Sequence, residues 1–257
     1  MSGDDWLRTD IGAAHPDAIT IRGRDLAAEL LGRVTFTELA FLLVQGREPT
    51  AEETRLLDAV LVSLADHGLT PTVLAARLTH TGAPESLQGA VAAGLLGAGS
   101  VFLGVVEDSA AFLGGIVADA GAEASDSELL VAAERALREL AGGRVPGLGH
   151  PVHKTEDPRT PRIYAIAAEN GLLGAHLRAL RLVAEAHEAR TGKALPINGA
   201  GAGGAALADL GFPAGIVRGF ALLARTAGLV AHLGEEMEQP LGMRLFRELD
   251  ARAAEGY

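Results

Sequence analysis

The chain has 257 residues, 48% apolar but only 4% aromatic, with no cysteine and a net charge of −11. This length suits one large domain or two modest ones, and a core of Ala, Leu and Val suits closely packed helices better than sheets. The acidic balance argues against a general nucleic-acid surface. The lack of cysteine excludes disulfides, thiolate catalysis and Cys-based metal sites.

The start, MSGDDWLRTD, is acidic rather than the basic lead of an export signal, so the expected address is the cytoplasm. Residues 19–25, ITIRGRD, read as a short extended segment. Helical spacing follows, first in Leu26, Leu30 and Leu31. Thr35 with Glu38 forms a capping-box pattern for a helix ending at Gly46, and Thr50 with Glu53 repeats it for a helix carrying Leu56, Leu57, Val60 and Leu64. That helix runs into Asp66-His67-Gly68. Pro71 and Pro84 open two more. The stretch 89–106 comes nearest to a membrane span, but its glycines and amphipathic flanks mark it as a buried core helix and its exit; no membrane partner is expected. A helix opens at Asp126 or Ser127 and runs to about Leu140. Further helices are expected at about 161–170, 173–190, 203–210 and 214–233. The glycine run GAGAGG at 199–204 lacks the preceding strand of a dinucleotide site and is expected to be a glycine-permitted helix start.

The least regular segment, 142–162, reads GGRVPGLGHPVHKTEDPRTPR. It places His150, His153, Lys154 and Arg159 on irregular backbone, where glycines allow close approach to a ligand. Lys and Arg hold phosphate or carboxylate, and a neutral His polarises a carbonyl or shuttles a proton. The alternative is a solvated basic loop joining two helices. His67, at a helix C-terminus, is read on its own as structural. Arg225 lies with His232 in a largely apolar helix, and a buried Arg needs an anionic partner, either a core carboxylate or a ligand. His15, His80, His176 and His187 are scattered. No His/Asp/Glu set shows metal-ligand spacing, so no metal is expected. No G-x-S-x-G motif occurs either.

Taken in order, IRGRDL, FTELAFLLVQGREPT, ADHG, GLGHPVHKTEDPR and ARTAGLVAHLGEE resemble the citrate synthase superfamily, and within it the citryl-CoA lyase group, over roughly 19–245. The resemblance implies an all-α fold. A large helical domain (1–104 and 214–257) would carry a smaller mobile helical domain (105–213), in a homodimer. It implies a carbon–carbon lyase that cleaves a 3-hydroxy-3-carboxyacyl-CoA such as citryl-CoA into acetyl-CoA and oxaloacetate. Coenzyme A would enter as the acyl-CoA substrate, beside a small di- or tricarboxylate and without a metal. By the same resemblance His67 and His150 are catalytic, and Arg159 and Arg225 bind carboxylates. Lys154 meets CoA phosphate, and the backbone of Gly147, Leu148 and Gly149 receives the adenine part of CoA.

Two departures set the subfamily. Phe102 stands where condensing members carry an enolising His, as in the lyase group. Asn198 matches the Asn of the family's N-V-D-G-like motif, and Ala200 stands where its Asp base would be; Phe102 and Asn198 are thus expected at the substrate. A lost base typically costs a factor of about 10²–10⁴. Asp209 lies nine residues on, about 13 Å along a helix. The alternatives are a related lyase or synthase for another acyl-CoA, and a non-catalytic binder of CoA or an organic acid.

Overall fold

The computed structural model describes residues 9–140 and 142–255. A small antiparallel sheet comes first: β1 (Gly12–Ala14), β2 (Ile19–Ile21) and β3 (Arg24–Asp25), in the order β1-β2-β3. The extended reading of 19–25 thus resolves into a hairpin, with Arg22 and Gly23 at positive φ in its turn. Asp25 then caps a π-helical turn, Leu26–Leu30.

Helices α1 (Phe36–Gln45) and α2 (Ala51–Ala65) both begin in complete capping boxes, Thr35 with Glu38 and Thr50 with Glu53. These reciprocal bonds satisfy amide donors that a helix start otherwise leaves open. Gly46 ends α1 at φ 73°. α3 (Pro71–Gly82) opens on its proline. α4 (Leu87–Leu96) starts after Ser86 rather than at Pro84.

The stretch 89–106 corrects the sequence expectation. α4 stops at Gly97, a turn follows, and α5 (Gly104–Ala120) begins a separate helix. Only Ala90 and Gly94 of α4 are buried, and Leu96 is 86% exposed. The described helix long and apolar enough to cross a membrane is instead α10 (Ala214–Glu238). It packs against α2, α3, α4, α5 and α9 and buries Arg225 and Glu236, features of a core helix.

α6 (Asp126–Glu139) starts at Asp126, as expected, behind a third capping box, Ser125 with Glu128. α7 (Arg159–Glu169) and α8 (Ala175–Thr191) follow. α9 (Gly199–Asp209) starts four residues before its expected position because the Asn198 side chain accepts from Gly201 N and caps it. α11 (Gly242–Ala254) lies beyond the last helix read from sequence. The fold is all-α apart from the small sheet.

One apolar cluster runs through α1, α2 and α5–α10, with Phe41, Leu57, Leu113, Leu180 and Leu207 at its centre. A second, built on Val73, Ala90 and Leu229, joins α3, α4 and α10. α9 belongs almost wholly to the first, because its glycines admit backbone on two sides. A Cβ at Gly204 would strike the carbonyl of Val106 in α5, and one at Gly201 would lie 2.5 Å from Gly147 Cα. The run 199–204 is therefore a packing surface as well as a helix start.

Candidate active site

A cavity of about 640 Å³ opens where α2, α5, α7, α9 and α10 meet the 142–158 loop. His67, Phe102, Leu148, Gly149, His150, Arg159, Asn198 and Arg225 all line it, as do Ala200, Thr70 and Arg144. The residues picked from scattered motifs thus converge. Lys154 and Gly147 do not line it. Lys154 is exposed, and its Nζ donates to His150 O at 3.2 Å.

The loop is pinned to the start of α9. Gly149 N donates to Pro196 O at 2.7 Å, Asn198 N to Gly147 O at 3.0 Å, and Asn198 Nδ2 to Gly149 O at 2.8 Å. Gly147 and Gly149 have φ of 84° and 79°, a backbone that other residues adopt only under strain. Asn198 therefore both caps α9 and holds the His150 loop. Most polar backbone groups of Gly147 and Gly149 are engaged within the protein.

His150 accepts at Nδ1 from two backbone amides, Val152 N at 3.1 Å and His153 N at 3.0 Å. An acceptor at Nδ1 must carry its proton on Nε2, so the ring is a fixed donor toward the cavity. Burial lowers its pKa; Asp157 opposes this, while His153, Arg159 and His67 lower it further. His150 is thus a neutral donor at neutral pH.

His153 stacks on His150 with ring centroids 4.4 Å apart, and His67 stands 5.4 Å from His150. Ring nitrogens of all three lie within 4.8 Å of one another. Linear spacing gave no such cluster, because 83 residues separate His67 from His150. The donor set suits a metal poorly: ligation through His150 Nε2 would require loss of the proton that Nδ1 is already committed to leave there.

Arg159 opens α7 and is held by Asp157, which is fully buried. Asp157 Oδ1 accepts from Arg159 N (3.1 Å) and Nε (2.9 Å), and Oδ2 from Arg159 Nη2 (2.7 Å) and Gly199 N (2.8 Å). Burial would raise the Asp157 pKa, but these donors hold it far below the usual carboxylate range. The sequence reading passed over Asp157; its signal was its place two residues before Arg159 in the loop motif. A Cβ on Gly199 would collide with the Arg159 guanidinium, so glycine there seats the side chain.

Arg225 is 6% exposed. Its Nε and Nη2 donate to Leu64 O at 3.3 and 3.1 Å. Among the described residues no carboxylate lies within ion-pair distance of it. Burial lowers its pKa, Asp66 raises it and Arg159 lowers it. Of the two partners foreseen for a buried Arg, the core carboxylate is not present, and the guanidinium faces the cavity. Asp209 is no substitute for the base missing at 200. Its carboxylate caps α8, accepting from His176 N at 2.8 Å and Leu177 N at 3.0 Å.

The cavity therefore offers the guanidiniums of Arg144, Arg159 and Arg225 and the imidazoles of His67 and His150, together with apolar lining from Leu64, Val101, Phe102, Leu103 and Ala200. That combination suits a small polycarboxylate attached to an apolar arm. Comparison with known proteins agrees. A family profile described as "Citrate synthase, C-terminal domain" matches residues 45–248. The citryl-CoA lyase of Hydrogenobacter thermophilus is 34% identical, with a TM-score of 0.81 over 90% of this chain and 87% of that one. ATP citrate lyase of Methanothrix soehngenii, solved with citrate and coenzyme A, is 20% identical, with a TM-score of 0.74 over 90% of this chain and 39% of that one. Citrate synthase of Thermotoga maritima is 20% identical, with a TM-score of 0.64 over 81% of this chain and 55% of that one. No curated protein matches by sequence. With the profile covering most of its length and a lyase matched nearly end to end, the chain belongs to the citrate synthase family.

Proposed function

We propose that the protein is a citryl-CoA lyase that splits citryl-CoA into acetyl-CoA and oxaloacetate. The observation that carries this is the meeting of His67, His150, Arg159 and Arg225 around one cavity that apolar side chains also line. The two arginines hold substrate carboxylates; Arg225 does so with a guanidinium that forms no ion pair among the described residues. In the reaction the bond between the carbinol carbon and the thioester CH2 breaks. The hydroxyl proton leaves, a carbonyl forms, and the electron pair moves onto the thioester arm as an enolate, which then takes a proton on carbon.

The hydrogen bonds divide the labour. His150, fixed as an Nε2–H donor, stabilises the oxygen as its charge develops and is not the group that removes the proton. His67, whose ring nitrogens make no hydrogen bond among the described residues, accepts it. The enolate regains a proton from water, since Ala200 brings no acid. Phe102 fits the same direction, because a phenyl ring cannot hydrogen-bond the thioester oxygen as an enolising His would.

The finer assignments rest on family resemblance. CoA enters with its thioester end between Phe102 and Ala200 and its phosphates toward Lys154 and Arg144. Residues 105–213 form a smaller unit that closes over the ligand, and two copies pair into a homodimer in the cytoplasm. The exposed apolar side chains Leu87 and Leu96 of α4 and Phe246 and Leu249 of α11 support pairing. Light scattering of the purified protein tests it, with one chain mass refuting it. Incubation with citryl-CoA tests the activity: acetyl-CoA and oxaloacetate are expected in equal amounts, and no product above the buffer rate sinks the assignment. A second reading, cleavage of a bulkier acyl-CoA, is favoured by the space that Ala200 leaves, and a panel of acyl-CoAs separates the two.

A further inference from the structure

We propose that His232 is a positioning residue for His67, acting through Asp66. The inference rests on the reading of His67 as a group that meets the substrate. One face of α10, at Arg225, Gly228 and His232, holds the last turn of α2 and the residues after it. Arg225 donates to Leu64 O at 3.1 Å. A Cβ on Gly228 would collide with the carbonyl of Ala65, so glycine lets α10 lie directly against the chain just before His67. His232 Nε2 lies 2.9 Å from Asp66 Oδ1. The other Asp66 oxygen accepts from Gly68 N at 2.9 Å, which closes a turn with His67 at its apex and Gly68 at φ 71°.

The direction of the His232 bond is fixed from the other side. Arg77 Nη2 lies 2.9 Å from His232 Nδ1, and a guanidinium only donates. Nδ1 is therefore the acceptor, and the ring proton sits on Nε2, where it is given to Asp66. Arg77, 2% exposed, also pairs with Glu236 at 3.0 Å and with Glu235. Glu236 in turn accepts from Leu241 N at 2.9 Å and Gly242 N at 2.7 Å. The chain of bonds thus starts at the α10–α11 junction and ends at the turn that carries His67. Burial would raise the Asp66 pKa, but the Gly68 amide and His232 hold the carboxylate ionised, so the turn keeps its acceptor.

The remaining bonds of this chain hold helices together; the His232–Asp66 bond alone reaches a residue adjacent to the cavity. A shift of about 1 Å in a reacting group costs on the order of 100-fold in rate. His232→Leu, which removes donor and acceptor, is expected to lower kcat for citryl-CoA cleavage about 10- to 100-fold with a smaller change in KM. His232→Gln, which keeps one donor and one acceptor, is expected to restore most of it. In the His67→Ala background the His232→Leu change is expected to cost nothing further, since the residue acts through His67. Imidazole 15N NMR follows the ring independently of turnover. The His67 signals are expected to move in His232→Leu and to return in His232→Gln, whatever the wild-type activity proves to be. The proposal is overturned if His67 signals are the same in all three proteins, or if His232→Leu costs as much in the His67→Ala background as in the wild type. A wild-type protein that fails to cleave citryl-CoA while its His67 signals respond to His232 overturns the reaction and leaves the positioning standing.

Discussion

Asp157→Asn keeps the size of the side chain and changes one oxygen to an NH2. The carboxylate accepts four bonds, two on each oxygen, and every partner is a donor. Whichever way the amide turns, its NH2 faces two N–H groups and strands them. Stranded buried donors cost about 1–3 kcal/mol each, and breaking one side of a buried ion pair costs about 3–5 kcal/mol. These are overlapping descriptions of the same loss, so the expected destabilisation is about 3–5 kcal/mol, or roughly 6–20 °C in Tm for a chain of this size. Urea unfolding followed by circular dichroism measures it. The pH dependence is a second test. The folded carboxyl is depressed, so its contribution is fully present above the unfolded value of about 3.9 and is lost as the pH falls toward the folded one. The gap between wild type and variant should be level from pH 7 to 5 and shrink below about pH 4. A variant within about 1 kcal/mol of wild type at pH 7, below the cost of a single stranded donor, or a gap that does not narrow in acid, refutes the assignment of Asp157 as an ionised anchor.

Arg225→Met should raise KM for citryl-CoA at least about 30-fold, from about 2 kcal/mol or more of lost charge-assisted binding, while leaving Tm unchanged or higher, because an uncompensated buried cation is gone; steady-state kinetics beside a melting curve reads both. Gly201→Ala should cost about 1–3 kcal/mol, since its Cβ would lie 2.5 Å from Gly147 Cα, whereas Gly203→Ala, with its nearest contact at 3.4 Å, should be neutral or up to about 1 kcal/mol stabilising; the pair is compared by denaturation. Activity should fall as the pH drops, because protonation of His67 removes the proposed proton acceptor and protonation of His150 sets a third donor against the Val152 and His153 amides; burial lowers the folded pKa of His150, so the stability this group contributes is lost in the same direction, as the pH falls below its unfolded value of about 6.5. A pH–rate profile beside a pH series of melts reads both. Ala200→Asp should speed exchange of the acetyl-CoA methyl protons in D2O by about 10²–10⁴-fold, with no gain refuting the view that position 200 faces the reacting carbon.

What the sequence exposed was whatever depends on neighbours along the chain. The capping boxes at Thr35 and Thr50 and the stop at Gly46 are each decided within about four residues, and they fold as read. The loop around His150 was visible for the same reason: glycines, imidazoles and cations are concentrated in one short segment. The meeting of His67 with His150 was read from the family resemblance and not from spacing, because it depends on how α2 packs against α7 and α9; the approach of His153 to both was not read. Asp157 was passed over since its partner Gly199 N is 42 residues away. The early start of α9 follows from Asn198 being a cap, a role that competed with its reading as a substrate ligand. The burial of α4 was overestimated because apolar composition marks burial against something without saying what; only Ala90 and Gly94 are buried, while Leu87 and Leu96 are exposed.

The two departures from the condensing pattern fall where the scaffold allows them. Arg159 is tied through Asp157 to Gly199, Arg225 to the end of α2, and His150 to the amides of its own loop, while the turn at His67 is closed by Asp66. Each of these side chains is part of a bond network that fixes its place in the fold. The side chains of Phe102 and Ala200 take no part in any hydrogen bond, and both line the cavity. The half of the site proposed to bind carboxylates is therefore bound to the fold, and the half proposed to meet the thioester is open to substitution. Chemistry that needs only oxygen stabilisation and a proton acceptor stays with the first half. Chemistry that needs an enolising donor and a base beside the acetyl carbon belongs to the second, where this chain has a phenyl ring and a methyl group, and that asymmetry favours cleavage over condensation.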